Sequence, residues 1–258
     1  MPSSKPRQSG PAHIGIIGGT GLTTLENLEI TGREVVHTPY GEPSGPLVFG
    51  KLAGHELVFL ARHGFRQRIP PHQINYRANI WALDHVDASG VIAGASVRGI
   101  ADECAPGSLV VPDQIIDYTY GREQTFFVED KRRKAVQVDF ADPYDENLRT
   151  CLIDAGRRLE LKIHDRGTYG ATQGPRLETA AEVRRMERDG CDLLGMTAMP
   201  EAVLAREIGL PYAACTVVGR WAGGKGDGPP SPEIVAQNLR KGMDDFRRLL
   251  EDVLSCAT

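Results

Sequence analysis

The sequence predicts an α/β fold, a largely parallel or mixed sheet with helices around it. Short apolar runs alternate with stretches of helical spacing along the chain. Several of those runs end in glycine or in side chains that seek anions. A length of 258 residues is enough to bury one sizeable core without staples. No internal repeat or low-complexity linker divides the chain, so one domain is expected over residues 13–258. A flexible tail is expected at 1–12 (MPSSKPRQSGPA), polar and without the apolar core of a secretory signal.

Composition narrows the function. A net charge of −4 argues against a general nucleic-acid surface, and no apolar run approaches the roughly 18 residues of a membrane span. The five cysteines (Cys104, Cys151, Cys191, Cys215, Cys256) are odd in number and form no C-x-x-C pair. That pattern points to reduced thiols in the cytoplasm rather than to disulfides or a zinc site. None sits beside a histidine that would activate it.

Ile14-Gly15-Ile16-Ile17 reads as a buried strand ending in Gly18-Gly19-Thr20-Gly21. Glycines let the backbone approach a ligand closely, and successive N–H groups with the Thr20 hydroxyl form a cradle for an anion. The spacing matches neither G-x-G-x-x-G before a helix nor the P-loop, since no lysine follows. A plain strand-to-loop turn is the alternative. Residues 47–49 and 56–60 read as strands, the second running into Ala61-Arg62-His63-Gly64. Arg62 offers a planar fork suited to phosphate and His63 a second donor. A basic loop with Arg66 and Arg68 follows, and residues 73–86 read as an amphipathic helix with Trp81 in the core. Residues 91–95 form a buried strand closing in Ser96-Val97-Arg98-Gly99. Residues 109–119 are strand-like, with Pro112 suiting an edge or bulge. Residues 120–143 are irregular, with the basic run 131–134 as a solvated loop tip and Phe126 and Phe127 as exposed apolar residues compatible with an interface.

Further along, 146–159 has helical spacing and 168–171 is a short strand. Residues 179–188 are a helix for which Thr179 and Glu182 make a capping box. Residues 192–196 are strand-like and stop at Met196-Thr197, with a helix on to 208. Residues 212–218 form an apolar strand, 219–228 a glycine-rich mobile loop, and a final helix starts at 231 or 232. Four strand ends (Gly18–Gly21, Arg62–His63, Ser96–Gly99, Met196–Thr197) thus carry small or anion-seeking groups. One shared phosphate site explains them better than four unrelated loops.

Read together, GGTGL (18–22), ARHG (61–64), INYRANIWAL (74–83), PDQIIDYT with GREQTFF (112–127), DFADPY (139–144), QGPRLET (173–179) and GMTAMPEAVLARE (195–207) resemble the trimeric purine nucleoside phosphorylase and methylthioadenosine phosphorylase family. The resemblance covers nearly the whole chain and is nearest to the bacterial methylthioinosine branch. It implies a single-domain fold with a central mixed, partly barrel-like sheet surrounded by helices. The implied reaction is cleavage of a nucleoside by inorganic phosphate as co-substrate, with no metal or other cofactor and in a homotrimer. By the same resemblance Thr20, Arg62, His63 and Thr197 hold phosphate, with the backbone at Ser96, while Met196 lies against the ribose. Glu178 matches the acidic position used toward a 6-oxopurine; the bland alternative is a carboxylate near a helix start.

The chain departs from the family pattern in several places. Arg220 stands where Asn or Asp faces the base, and is expected to donate to the departing purine. Leu177 replaces a stacking aromatic. Ala95 and Arg98 replace a polar residue and a glycine in the turn after the strand, and Gln137 stands where a neighbouring subunit lends a histidine to the sugar. Competing expectations are a methylthioadenosine or other-base phosphorylase, a phosphate-independent nucleosidase, and a non-catalytic nucleoside-binding paralogue.

Overall fold

Among the residues that the computed structural model describes (13–19, 27–127, 137–226, 228 and 230–256), eleven strands join in one mixed sheet. Strands β1 to β4 are Ile14–Gly18, Glu29–Glu34, Leu47–Leu52 and His55–Ala61. They are followed by β5 (Gly90–Gly99), β6 (Leu109–Val110), β7 (Gln114–Asp117), β8 (Ile163–His164), β9 (Thr168–Ala171), β10 (Leu193–Gly195) and β11 (Tyr212–Trp221). The helices are α1 (Tyr76–His85), α2 (Glu146–Arg158), α3 (Ala180–Arg188), α4 (Ala198–Ile208) and α5 (Pro232–Cys256). The tail at 1–12, Thr20 and the basic run 131–134 lie outside the described residues.

β5 is the branch point. It pairs in parallel with β1 over Gly90–Ala93 and with β11 from Val91 to Gly99, then antiparallel with β10 at Arg98 and Gly99. β1 pairs in parallel with β4, so the carboxyl ends of β1 and β4 open on the same edge.

Pleating sorts the apolar residues between two faces. Ile16, Ala213, Cys215 and Val217 join one cluster with Leu152 of α2 and Phe246, Leu249 and Leu250 of α5. Their neighbours Ile17, Tyr212 and Ala214 join the other, with Ile80 and Leu83 of α1 and Ala202 and Leu204 of α4. The sheet is therefore sandwiched by helices, and α3 closes one end through Val183 and Met186.

Several elements differ from the sequence expectation for reasons of pairing. β5 does not stop at Ala95: β10 and β11 continue beside it, so Ser96 to Gly99 is strand. β11 likewise runs through Gly219 to Trp221, with a register shift between Val218 and Arg220. The run 109–119 splits around Pro112 into β6 and β7, each with its own partner. The helix at 73–86 narrows to α1, because the Asn75 side chain accepts from Ala78 N–H and caps it there. The capping box forms with both halves, Thr179 with Glu182. Trp81 is half-buried, packs against the core cluster as expected and also stacks on His85.

Phe126 is a correction: it is buried, not an exposed interface residue. Its ring packs on Tyr40 at 5.0 Å and its backbone N–H donates to Glu207 at 2.7 Å.

Gly242 sets how closely α5 approaches β11, since a Cβ there would overlap Val217 Cγ1. In an open helix Gly→Ala gains about 1 kcal/mol of propensity. Here Gly242→Ala is expected to lower stability by about 1–3 kcal/mol through overpacking. Val217→Ala should rescue most of that loss in a double-mutant cycle read by urea unfolding.

Candidate active site

The residues at the strand ends converge. Gly19 after β1, Arg62 and His63 after β4, Ala95, Ser96 and Arg98 of β5, and Met196 and Thr197 after β10 surround one cavity of about 90 Å³. Arg62 is built in first. Its backbone N–H donates to Gly18 O at 2.9 Å, and its side chain, only 1% exposed, runs under the cavity floor. Nε donates to Glu201 Oε1 at 2.5 Å and Nη2 to Glu201 Oε2 at 2.9 Å, while Nη1 donates to Gly94 O at 2.8 Å. Three of the five N–H donors are spent, and two are left for a ligand. Burial alone would depress the guanidinium, but the charge and hydrogen bonds of Glu201 override it and hold Arg62 above its ordinary value. Gly19 has to lack a side chain, since a Cβ would lie 2.7 Å from Arg62 Nη1 and 2.8 Å from Gly94 O.

His63 is half-buried, and Nδ1–H donates to Ile69 O at 2.8 Å, which leaves Nε2 for the cavity. Burial, and then the Arg62 charge, push its pKa below 6.5, which favours the neutral imidazole at pH 7. Thr197 precedes α4, is buried, and makes no capping hydrogen bond with its side chain. Such a set of donors around a small space can hold a tetrahedral oxyanion.

A second cavity, of about 260 Å³, adjoins the first. It is lined by Tyr118, Thr172, Gln173, Gly174 and Glu178, among others. The two meet across a bidentate ion pair in which Arg98 Nη2 and Nε donate to Glu178 at 2.9 and 3.1 Å. Arg98 thus lines one cavity and Glu178 the other. Larger clefts of about 340 and 520 Å³ lie along α2, where Arg149 donates to Glu146, Pro112 O and Asp165 O; none of the strand-end residues lines them.

Of the residues singled out in the sequence, Arg62, His63, Ser96, Met196 and Thr197 share the anion cavity, and Glu178 lines its neighbour. Leu177 is exposed and Arg220 lies in β11 as the ladder partner of Arg98; neither lines these cavities. Gln137 is exposed and does not line them. Cys104, Cys151, Cys191 and Cys215 are free thiols, none of them lining either cavity, and burial pushes Cys104 up to about 12.

A family model described as "Phosphorylase superfamily" matches residues 13–255. The chain belongs to that superfamily. A relative named "Probable S-methyl-5'-thioinosine phosphorylase" from Pseudomonas syringae pv. tomato is 48% identical over 94% of this chain and 98% of its own. The "6-oxopurine nucleoside phosphorylase" of Pyrococcus furiosus is 42% identical over 92% of this chain and 90% of its own. Among solved structures, methylthioadenosine phosphorylase from Schistosoma mansoni in complex with adenine is 31% identical, covering 95% of this chain and 92% of its own at a TM-score of 0.90.

Two residues that sequence reasoning missed complete this phosphorylase site. Glu201, 0% exposed, also accepts from Tyr212 Oη at 2.9 Å. Its signal was a carboxylate in the otherwise apolar first turn of a helix, Ala198 to Ala202. Arg122 ties the loops together. It donates to Met196 O at 2.7 Å, Met199 O at 2.6 Å and Gln173 O at 2.8 Å, and lies over the Tyr76 ring. Its one signal was its place in the GREQTFF motif, which did not reveal its partners.

Glu201→Leu strands a buried cation and is expected to cost about 3–5 kcal/mol of stability. The double variant Arg62→Met with Glu201→Leu should recover most of that stability in urea unfolding, yet bind no phosphate by calorimetry. Arg122→Met should lower turnover at least about tenfold, with less effect on Tm, because the Met196 and Gln173 loops lose their common anchor.

Proposed function

We propose that this chain cleaves the N-glycosidic bond of a 6-oxopurine nucleoside with inorganic phosphate, and that S-methyl-5'-thioinosine is the first substrate to test. The observation that carries the reading is the adjacency of two sites: a small cavity of oxyanion donors and a larger one with a buried carboxylate. The names of the Pseudomonas and Pyrococcus relatives support the same substrate class.

In this reading phosphate sits on Arg62, His63, Thr197 and the Ser96 backbone, joined by Thr20, which follows Gly19 in sequence. The ribose lies over Met196, and Glu178 accepts N1–H of the purine. The C1'–N9 bond breaks with its electron pair leaving to N9, while a phosphate oxygen closes on C1' from the opposite face. The protein's task is to position the dianion beneath an oxocarbenium-like sugar and to stabilise the departing base, with no covalent intermediate. In this reading Arg220, the ladder partner of Arg98, turns inward to donate to the purine at N7 and O6 as it gains charge. The chain works as a homotrimer in which the exposed Gln137 reaches a neighbour's sugar.

Release of free base should fall at least about a hundredfold when phosphate is omitted. Full turnover without phosphate would make the protein a nucleosidase, and saturable binding without turnover a non-catalytic paralogue. His63 supplies an independent check. By NMR its imidazole should titrate below 6.5 in the phosphate-free protein and shift upward when phosphate binds, because an adjacent dianion favours the imidazolium.

A further inference from the structure

The carboxylate that reads the base is already largely occupied. Glu178 Oε1 accepts from Arg98 Nη2 at 2.9 Å and from Thr172 Oγ1 at 2.6 Å, and Oε2 accepts from Arg98 Nε at 3.1 Å. Thr172 also contacts Gly195 O at 3.1 Å, but the shorter contact with the charged acceptor takes its proton. An ionised carboxylate offers about four lone-pair positions. Three are filled, and the one left is on Oε2.

The edge of a 6-oxopurine that meets this carboxylate carries N1–H alone when carbon 2 bears hydrogen. With a 2-amino group it carries N1–H and an N2–H side by side, and that pair needs both carboxylate oxygens. At Glu178 the second donor would face a saturated Oε1 and stay unpaired against a buried carboxylate, where an unmade hydrogen bond is costly. Arg98 cannot easily yield. It is held in β5 between β10 and β11, it is buried, and it lines the anion cavity. Its three N–H groups not given to Glu178 are free for an anion there, which would fix it further in place.

We infer that Arg98 is a positioning residue that sets base specificity: by filling one side of Glu178 it restricts the enzyme to 6-oxopurine nucleosides without a 2-amino group. The inference rests on the phosphorolytic reading above and adds to it which 6-oxopurines are accepted. It also gives a function to the cation that replaces a glycine in this turn.

The test compares inosine with guanosine, so that the sugar is constant, in the full-length enzyme with saturating phosphate. Wild type should favour inosine by at least about tenfold in kcat/KM, the size of one hydrogen bond to a charged group. Arg98→Lys keeps the charge but gives up the fork, and Arg98→Gln keeps one amide nitrogen as a neutral donor. Both should reduce that preference about tenfold. Thr172→Val, which frees Oε1 without touching Arg98, should reduce it in the same direction and guards against misfolding of the Arg98 variants. A general loss of activity from disturbed structure would lower both substrates alike and leave the ratio unmoved. An inosine-to-guanosine ratio unchanged within about twofold in all three variants, or a wild type that prefers guanosine, overturns the role of Arg98 while leaving phosphorolysis standing. Cleavage of neither nucleoside, with no binding of hypoxanthine or guanine by calorimetry, overturns the phosphorolytic reading itself.

Discussion

The ion pair between Arg62 and Glu201 is the constraint on which the site depends. A guanidinium placed under the carboxyl ends of β1 and β4 can serve an anion only if it is buried, rigid and still charged. Taking it out of water costs several kcal/mol, and a partner with matching geometry has to offset that. Glu201 does so from α4, on the far side of the arginine from the cavity, and is itself fixed by the Tyr212 hydroxyl of β11. Helix, central strand and strand-end loop are thus tied to one another through a polar link inside an apolar layer. Gly19 completes the arrangement by leaving room where any Cβ would press on the guanidinium.

The same device occurs a second time. Arg98 lines the same cavity and is bound to Glu178 as Arg62 is to Glu201. Each cation is balanced by a carboxylate, so the cavity walls carry little net charge while presenting N–H groups with fixed directions. Fixed donors in a closed site stabilise developing charge without reorganising at the moment of reaction. The lowered pKa of His63 fits this picture, because protonating it without a bound anion would add a third cation beside Arg62 with no carboxylate of its own.

Much of this was legible in the sequence, and the part that was not has a common cause. Gly19, Arg62, His63, Met196 and Thr197 sit at the ends of apolar runs, and a local signal of that kind survives without coordinates. Strand continuation did not: Ser96-Val97-Arg98-Gly99 reads as a turn because glycine and arginine interrupt the apolar run. What keeps it extended is pairing to Leu193–Leu194 and to Arg220–Trp221, about a hundred residues away. The roles of Glu201, Arg122 and Arg98 were hidden for the same reason. Each is defined by a partner distant in sequence, 139 residues for Arg62 with Glu201 and 80 for Arg98 with Glu178. Phe126 was misjudged likewise, since its cover comes from Tyr40.

Departures from a family pattern acquire a different meaning once such pairs are visible. Taken alone, a bulky cation in place of a glycine beside a ligand cavity suggests obstruction and loss of activity. In the folded chain the same cation is neutralised, hydrogen-bonded along its Nε–Nη2 edge and held by strands on either side. Breaking such a buried pair would leave a charge uncompensated, which is far more costly than never having placed it. A decayed site would have no reason to keep both partners matched, nor the Thr172 hydroxyl that supports them. The substitution at position 98 is better understood as one half of a matched pair that narrows what Glu178 can accept than as damage to the site.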